Sequence, residues 1–410
     1  MKAIISVIYP YLFLLFCFTL PLDKYAVAIP NIVLIILLAL FPFVVSKEDF
    51  KKLFRKEVIV FTALVIYLVI NSILFQDYNS DFSIIKKIAA SLLLIILFIP
   101  LDNTKKLKKA IIASVLTCII ICLVNLYWFY ISEGEFNFSS GGAIDEVLII
   151  DRLYLGFLCV LSIIASLGLM GDKYSDENKW YFSNIVLNIG FVLLISSRVA
   201  ILLLIILFLL KIFYTKNRKE HLFFFIGIIG IIVVAFALNK NLQERFFYSH
   251  NSKTNKSYLE QIKVWEPRFV IWGCNYSISQ NEDFLLTGLG FYKTKELLVS
   301  CYDNDIKKED KRNYFIKERF NTHNQFIDFL LGSGIIGFLI FSTLLVLLFY
   351  RNKKSYFKTA LFISIFAFAF IESFFHRQLG GYIFAIICIL ILFPSKNDTL
   401  PQDVESHEKD

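Results

Sequence analysis

The stretch NIVLNIGFVLLISSRVAILLLIILFLLKIF, residues 184–213, holds two strongly apolar runs, Asn184–Ile195 and Val199–Leu210, joined only by Ser196-Ser197-Arg198. A helix needs about 20 mostly apolar residues to cross a bilayer. With their flanking residues the two runs become the candidate spans 181–196 and 199–214, a helical pair with almost no loop between them. The runs are continuously apolar. They do not alternate apolar and polar residues as the strands of a membrane barrel would, so the pattern reads as helix.

The same pattern extends in both directions. Before this pair lie candidate spans at 4–22, 26–46, 57–75, 83–100, 109–131 and 153–170, and after it at 221–239, 330–350, 357–375 and 379–394, twelve in all. Hydrophobic residues make up 57% of the 410 positions and charged residues 19%, with 44 phenylalanines. A soluble domain is about 45–50% apolar and about 25% charged, so these proportions point to lipid-facing surface. The expected fold is an all-α polytopic membrane protein. Met1–Leu22 is apolar like a secretion signal but lacks a small-x-small cleavage site and runs straight into a second apolar segment, so it reads as a retained first helix.

The net charge is +8. No nucleic-acid motif accompanies it, and the basic residues sit in short loops, where the positive-inside rule places them. Lys47, Lys51, Lys52, Arg55 and Lys56 follow the second span, and Lys105, Lys106, Lys108 and Lys109 follow the fourth. Lys211, Lys216, Arg218 and Lys219 follow the eighth, and Arg351, Lys353, Lys354 and Lys358 follow the tenth. These clusters fall on one side when every span is counted, while 76–82 and 131–150 carry no Lys or Arg. Both termini are then cytoplasmic. The chain divides into helices over 1–239, one large periplasmic loop over 240–325, further helices over 326–394, and an acidic, disordered cytoplasmic tail over 395–410. Two short helices are expected in the loop, near 257–280 and 293–300.

Five of the seven cysteines (Cys17, Cys118, Cys122, Cys159 and Cys388) lie in apolar runs and read as packing residues. Cys274 and Cys301 share the large loop. They can bridge there if the loop is periplasmic and the two come close enough. No Cys/His cluster has metal-ligand spacing, and Asp303-Asn-Asp305 reads as loop solvation.

Ionisable residues at a membrane face are costly and are candidates for function. Asp151-Arg152-Leu-Tyr154-Leu-Gly156 opens a span; Arg152 suits a phosphate, and equally an interfacial arginine snorkelling to headgroups. Arg198 stands in the minimal turn quoted above, against the positive-inside trend, where a guanidinium can grip a phosphate bidentately. Glu266-Pro267-Arg268-Phe-Val-Ile-Trp272 reads as a helix start with Arg268 and Trp272 four residues apart on one face. Thr287-Gly288-Leu-Gly290-Phe291 reads as a tight turn, and its GxG carries no nucleotide-site context. Finally, Thr322-His323-Asn324-Gln325 precedes the tenth span, with Gly332, Gly334 and Gly337 allowing close helix approach. A histidine there can take a proton from a hydroxyl; spacing alone favours a loop residue beside a packing motif.

Taken together, Arg152-Leu-Tyr154-Leu-Gly156, Ser197-Arg198, Arg268 to Trp272, Thr287 to Phe291, and His323-Asn324 through Gly337 resemble the O-antigen ligase/polymerase superfamily. The resemblance covers roughly 150–350. It implies a GT-C-like membrane fold in the bacterial inner membrane, with a reaction on the periplasmic side. The donor it implies is a glycan on undecaprenyl diphosphate, with lipid A–core or another glycan as acceptor and no cofactor or metal. Arg198 and Arg268 are then expected on the diphosphate with Arg152 as a third cation. His323 is expected as general base, and Trp272, Gly288, Gly290 and Asn324 in support. Twelve spans with the large loop after the ninth look most like the ligase, and the polymerase of the same superfamily is the alternative. A flippase or other transporter of lipid-linked glycan would instead place charges at mid-membrane and show two similar halves. No internal repeat is evident, and Glu372 and Arg377 lie near the end of the eleventh span. A membrane scaffold is the third class.

Overall fold

A computed structural model describes residues 2–26, 28–101, 103–133, 147–171, 175–215, 218–247 and 266–393. Among these residues the regular structure is helical, with no strands. Each of the twelve expected spans coincides with a helix: Lys2–Thr19, Ile29–Val44, Lys56–Phe75, Tyr78–Phe98, Thr104–Glu133, Arg152–Leu167, Asp176–Leu194, Arg198–Phe213, Arg218–Leu238, Gln325–Tyr350, Tyr356–Ala369 and Gln378–Leu392. By length and composition alone, Lys2–Thr19, Lys56–Phe75, Thr104–Ser132 and Gln325–Tyr350 are long and apolar enough to cross a membrane, and shorter apolar helices accompany them. The expected tail over 395–410, residues 248–265 of the expected loop and most of the segment 131–150, which has no Lys or Arg, lie outside the described residues.

Local sequence sets the helix starts. Asp77 caps Tyr78–Phe98 by accepting from the Asn79 N–H, and Ser175 caps Asp176–Leu194 by accepting from the Asn178 N–H. Pro267 occupies the first turn of Pro267–Asn281, where a missing N–H costs nothing. The helices pack largely as sequence neighbours, Lys2–Thr19 on Ile29–Val44 and Arg152–Leu167 on Asp176–Leu194. Two pairings join the ends of the chain: Lys56–Phe75 packs on Gln325–Tyr350, and Tyr78–Phe98 on Gln378–Leu392. Their outer faces remain apolar and exposed, as at Ile66, Ile73, Leu339 and Val346, which suits contact with lipid.

The loop before Gln325 has a core of its own. Pro267–Asn281, Phe291–Asp305 and Glu309–Glu318 enclose Ile271, Cys274, Ile278, Leu298, Tyr302 and Phe315. Cys274 and Cys301 are bridged, pinning the first two of these helices together. The pairing that the sequence left open is therefore made. Of the two expected loop helices, the first is seen as Pro267–Asn281, with 257–265 outside the described residues, and the second, Phe291–Asp305, extends beyond 293–300 at both ends; Glu309–Glu318 was not expected.

Candidate functional site

The helix Gln325–Tyr350 is broken near its start. Gly334 has φ 71° and ψ −175°, a conformation essentially reserved for glycine. A break frees backbone groups that lipid cannot satisfy, so protein must cover them. The Thr287–Gly290 turn does so. Leu289 N donates to Leu331 O at 2.7 Å, Gly290 N to Gly332 O at 3.0 Å, and Ile335 N to Leu285 O at 2.8 Å. Gly288, at φ 75°, lies so near that a Cβ would meet the Gly332 carbonyl at 2.6 Å. Gln76 bonds both Thr287 O and Gly332 O, and Asn71 also bonds Thr287 O. Gly288 and Gly290 thus dock the loop on the broken helix, and the close approach expected between helices is made between helix and turn. The Asp81 carboxylate accepts the Tyr292 N–H at 2.7 Å and fastens the N-terminus of Phe291–Asp305 to the bundle.

Just before the broken helix, Asn324 caps it by accepting from the Phe326 and Ile327 N–H groups. His323 sits in left-handed backbone at φ 45°, costly for a residue with a Cβ and characteristic of functional positions. Its Nδ1 lies 3.0 Å from Glu372 Oε2, with the histidine side chain 19% exposed and the glutamate 4%. The expected eleventh span included Glu372. The helix ends at Ala369 instead, and Glu372 lies in a polar turn that continues into the short 3-10 turn Phe374–His376.

That turn grips the His323 segment at several points. Thr322 Oγ1 meets Ser373 Oγ at 2.7 Å, Asn324 N donates to Ser373 Oγ at 3.2 Å, and Phe375 N donates to Gln325 Oε1 at 3.0 Å. A second histidine–carboxylate pair closes the network: His376 Nε2 lies 2.8 Å from Asp328 Oδ1, which also accepts from Thr322. Both histidines, Glu372 and Arg377 line one cavity of about 380 Å³.

The expected arginines fall beside this cavity. Arg198 NH2 bonds Glu266 Oε2 at 2.9 Å, and Arg268 NH1 bonds Glu266 Oε1 at 2.7 Å. Two guanidiniums from separate parts of the chain therefore converge on one carboxylate. Arg268 Nε also donates to Ile371 O, one residue from Glu372. Ser196, in the turn before Arg198, shares the left-handed backbone of His323 at φ 52°. Arg152 is buried at the start of its helix, and its neighbour Asp151 pairs with Arg377. Trp272 is partly exposed on the helix that carries Arg268 and lines neither the His323 cavity nor its walls.

Sequence reasoning named His323, Arg198, Arg268 and the docking glycines as candidates. It missed the partners that orient them, Glu266, Glu372, Asp328 and His376. The signal for Glu372 and His376 was the polar break Glu372-Ser-Phe-Phe-His-Arg377 between two apolar runs.

Comparison with known proteins adds one match. Residues 184–342 match the family described as O-antigen ligase, and the segment runs from the helix before Arg198 through the broken helix. No curated protein matches the chain.

Proposed function

We propose that this chain, with its O-antigen ligase segment at 184–342, transfers a glycan from undecaprenyl diphosphate to an acceptor hydroxyl at the periplasmic face of the inner membrane, in the manner of the ligase branch. The observation that carries this reading is His323, strained at φ 45° and held through Nδ1 by a nearly buried glutamate at the edge of a cavity.

The chemistry follows from those contacts. A carboxylate can only accept, so Glu372 sets the proton on His323 Nδ1 and leaves the lone pair on Nε2. The acceptor hydroxyl attacks the anomeric carbon of the donor while Nε2 takes its proton. The bond from that carbon to the phosphate oxygen breaks, and undecaprenyl diphosphate leaves with the electron pair. The leaving group carries its own charge and needs no acid. It needs cations where charge gathers, which is often the largest contribution to such catalysis. Arg198 and Arg268 supply them. Glu266 fixes their spacing and offers them the same two-oxygen geometry as a phosphate. The Cys274–Cys301 bridge supports the periplasmic orientation, because disulfides persist in oxidising compartments.

The test is to delete the gene in its host, complement it with wild-type or His323→Ala protein, and resolve surface glycans and lipid-linked intermediates on gels. Loss of the ladder with long chains held on the carrier supports the ligase. Lipopolysaccharide carrying a single repeat unit assigns the chain to the polymerase branch. An unchanged ladder overturns both.

A further inference from the structure

The cavity beside His323 carries more positive charge than the transfer chemistry above uses. Lys87, Lys295 and Arg319 line it from three separate segments, the helix Tyr78–Phe98, the loop helix Phe291–Asp305 and the turn after Glu318. Lys87 Nζ donates to a neutral acceptor, the His376 carbonyl, at 2.6 Å. Arg319 is bonded to Glu296. The same Glu296 partly offsets Lys295, whose ammonium is destabilised by burial and then by the Arg319 charge. Arg319 is itself in left-handed backbone, at φ 49°. The carboxylates on the same lining are Glu318 and Glu372, the latter committed to His323, so the three cations still repel one another at a cost that a bound anion would reverse.

The location separates this group from the donor cations. Arg198 and Arg268 converge on Glu266 and do not line the cavity. The walls that carry Lys295 and Arg319 belong to the loop, the part of the chain with its own polar-faced core. A lipid diphosphate must keep its tail in the bilayer, whereas a glycan acceptor reaches the histidine from the water side.

We infer that Lys87, Lys295 and Arg319 form a subsite for an anionic group, a carboxylate or a phosphate, borne by the acceptor glycan close to the hydroxyl that His323 deprotonates. The inference rests on the transferase reading for the word acceptor, but the binding itself does not require turnover. Two or three cations around one anion make the acidic sugar the preferred occupant over a neutral sugar of the same shape.

The experiment measures equilibrium binding to the full chain in lipid nanodiscs at low salt. The probes are a tetrasaccharide of alternating glucuronic acid and N-acetylglucosamine, the same sugar with its carboxylates reduced to alcohols, and that reduced sugar phosphorylated at the new hydroxyls. Binding of the carboxylated probe about tenfold tighter than the neutral one is expected, with the preference abolished in Lys87→Gln/Lys295→Gln. A still tighter phosphorylated probe would also support the subsite and name phosphate as its anion. Because Lys87 lies in the bundle and its variant can fail to fold, Lys295→Gln and Arg319→Gln are read singly as well, each expected to reduce the preference severalfold. Equal binding of acidic and neutral probes overturns the inference, as does a preference that survives all three variants. His323→Ala should keep the preference while losing transfer, so failure of the subsite and failure of the transferase reading give different results.

Discussion

Replacing Glu372 by Gln tests the proposed role of the His323–Glu372 pair with little change in shape. Glu372 is 4% exposed, and its Oε2 lies 3.0 Å from His323 Nδ1. A hydrogen bond to a charged group contributes about 1.5–3 kcal/mol. In the transition state that bond also faces the positive charge appearing on the imidazole. At about 1.4 kcal/mol per factor of ten, its loss alone slows transfer by roughly 10- to 150-fold. A glutamine can do further harm. Its amide can donate to Nδ1, which moves the imidazole proton to Nε2 and leaves no lone pair facing the acceptor. In a serine protease triad the analogous Asp-to-Asn change costs about 10⁴-fold through the tautomer. The expected fall in turnover therefore lies between about 10- and 10⁴-fold, with KM for the lipid-linked donor nearly unchanged because the donor does not touch this bond. The assay is transfer by purified protein in proteoliposomes supplied with lipid-linked glycan, alongside thermal unfolding to confirm that the variant folds. Turnover within about twofold of wild type would refute the assignment, because His323 would then work without the partner that orients it.

Arg198→Lys keeps the charge but loses the planar fork that meets Glu266 at 2.9 Å, so transfer should fall at least about tenfold; full activity would show that the fork is not used. Gly334→Ala forces a Cβ to within 2.2 Å of the Leu286 carbonyl at φ 71°. Strain of about 1–3 kcal/mol and loosened turn bonds of about 0.5–1.5 kcal/mol each should lower the unfolding midpoint and open the loop to protease, and an unchanged midpoint would count against the docking. Cys274 and Cys301 should resist maleimide until reductant is added, and Cys301→Ser should destabilise the loop by about 2–4 kcal/mol. Prompt labelling without reductant would argue against the bridge and against an oxidising location.

The parts of the fold that were legible in the sequence depend on local composition. A continuous apolar run of membrane length has few alternatives to a helix, and each of the twelve expected segments is one. Helix ends were less legible. The eleventh helix stops at Ala369, six residues before its expected end, because Phe374 and Phe375 sustain the average hydropathy across a turn that is polar in function. Arg198 stood out as a charged residue confined between two apolar runs, and His323 as a histidine where the loop meets the tenth span. Glu372 could not be assigned to His323, nor Asp328 to His376, because pairings across 49 and 48 residues leave no local trace. Gly288 was legible as a turn glycine and Gly334 as one that permits close approach, but their partners were not. The turn and the broken helix meet only in three dimensions.

The buried polar network favours an enzyme over a scaffold. Thr322, Asn324, Gln325, Asp328 and Ser373 are all buried where the His323 segment meets the turn after Ala369. Replacing such groups with well-packed apolar residues is often neutral or stabilising, so a protein needing only a stable bundle gains little by keeping them. Here they satisfy one another and hold His323 in a backbone conformation costing about 1–3 kcal/mol. Strain is tolerated where surrounding bonds over-determine it. Its effect is to fix the imidazole at the cavity wall with Nδ1 committed to Glu372, so that little reorganisation remains when a proton moves. The charges of a transporter would be expected along the bundle at mid-membrane. Among the described residues, two histidine–carboxylate pairs and four cations gather where the broken helix, the loop and the turn after Ala369 meet.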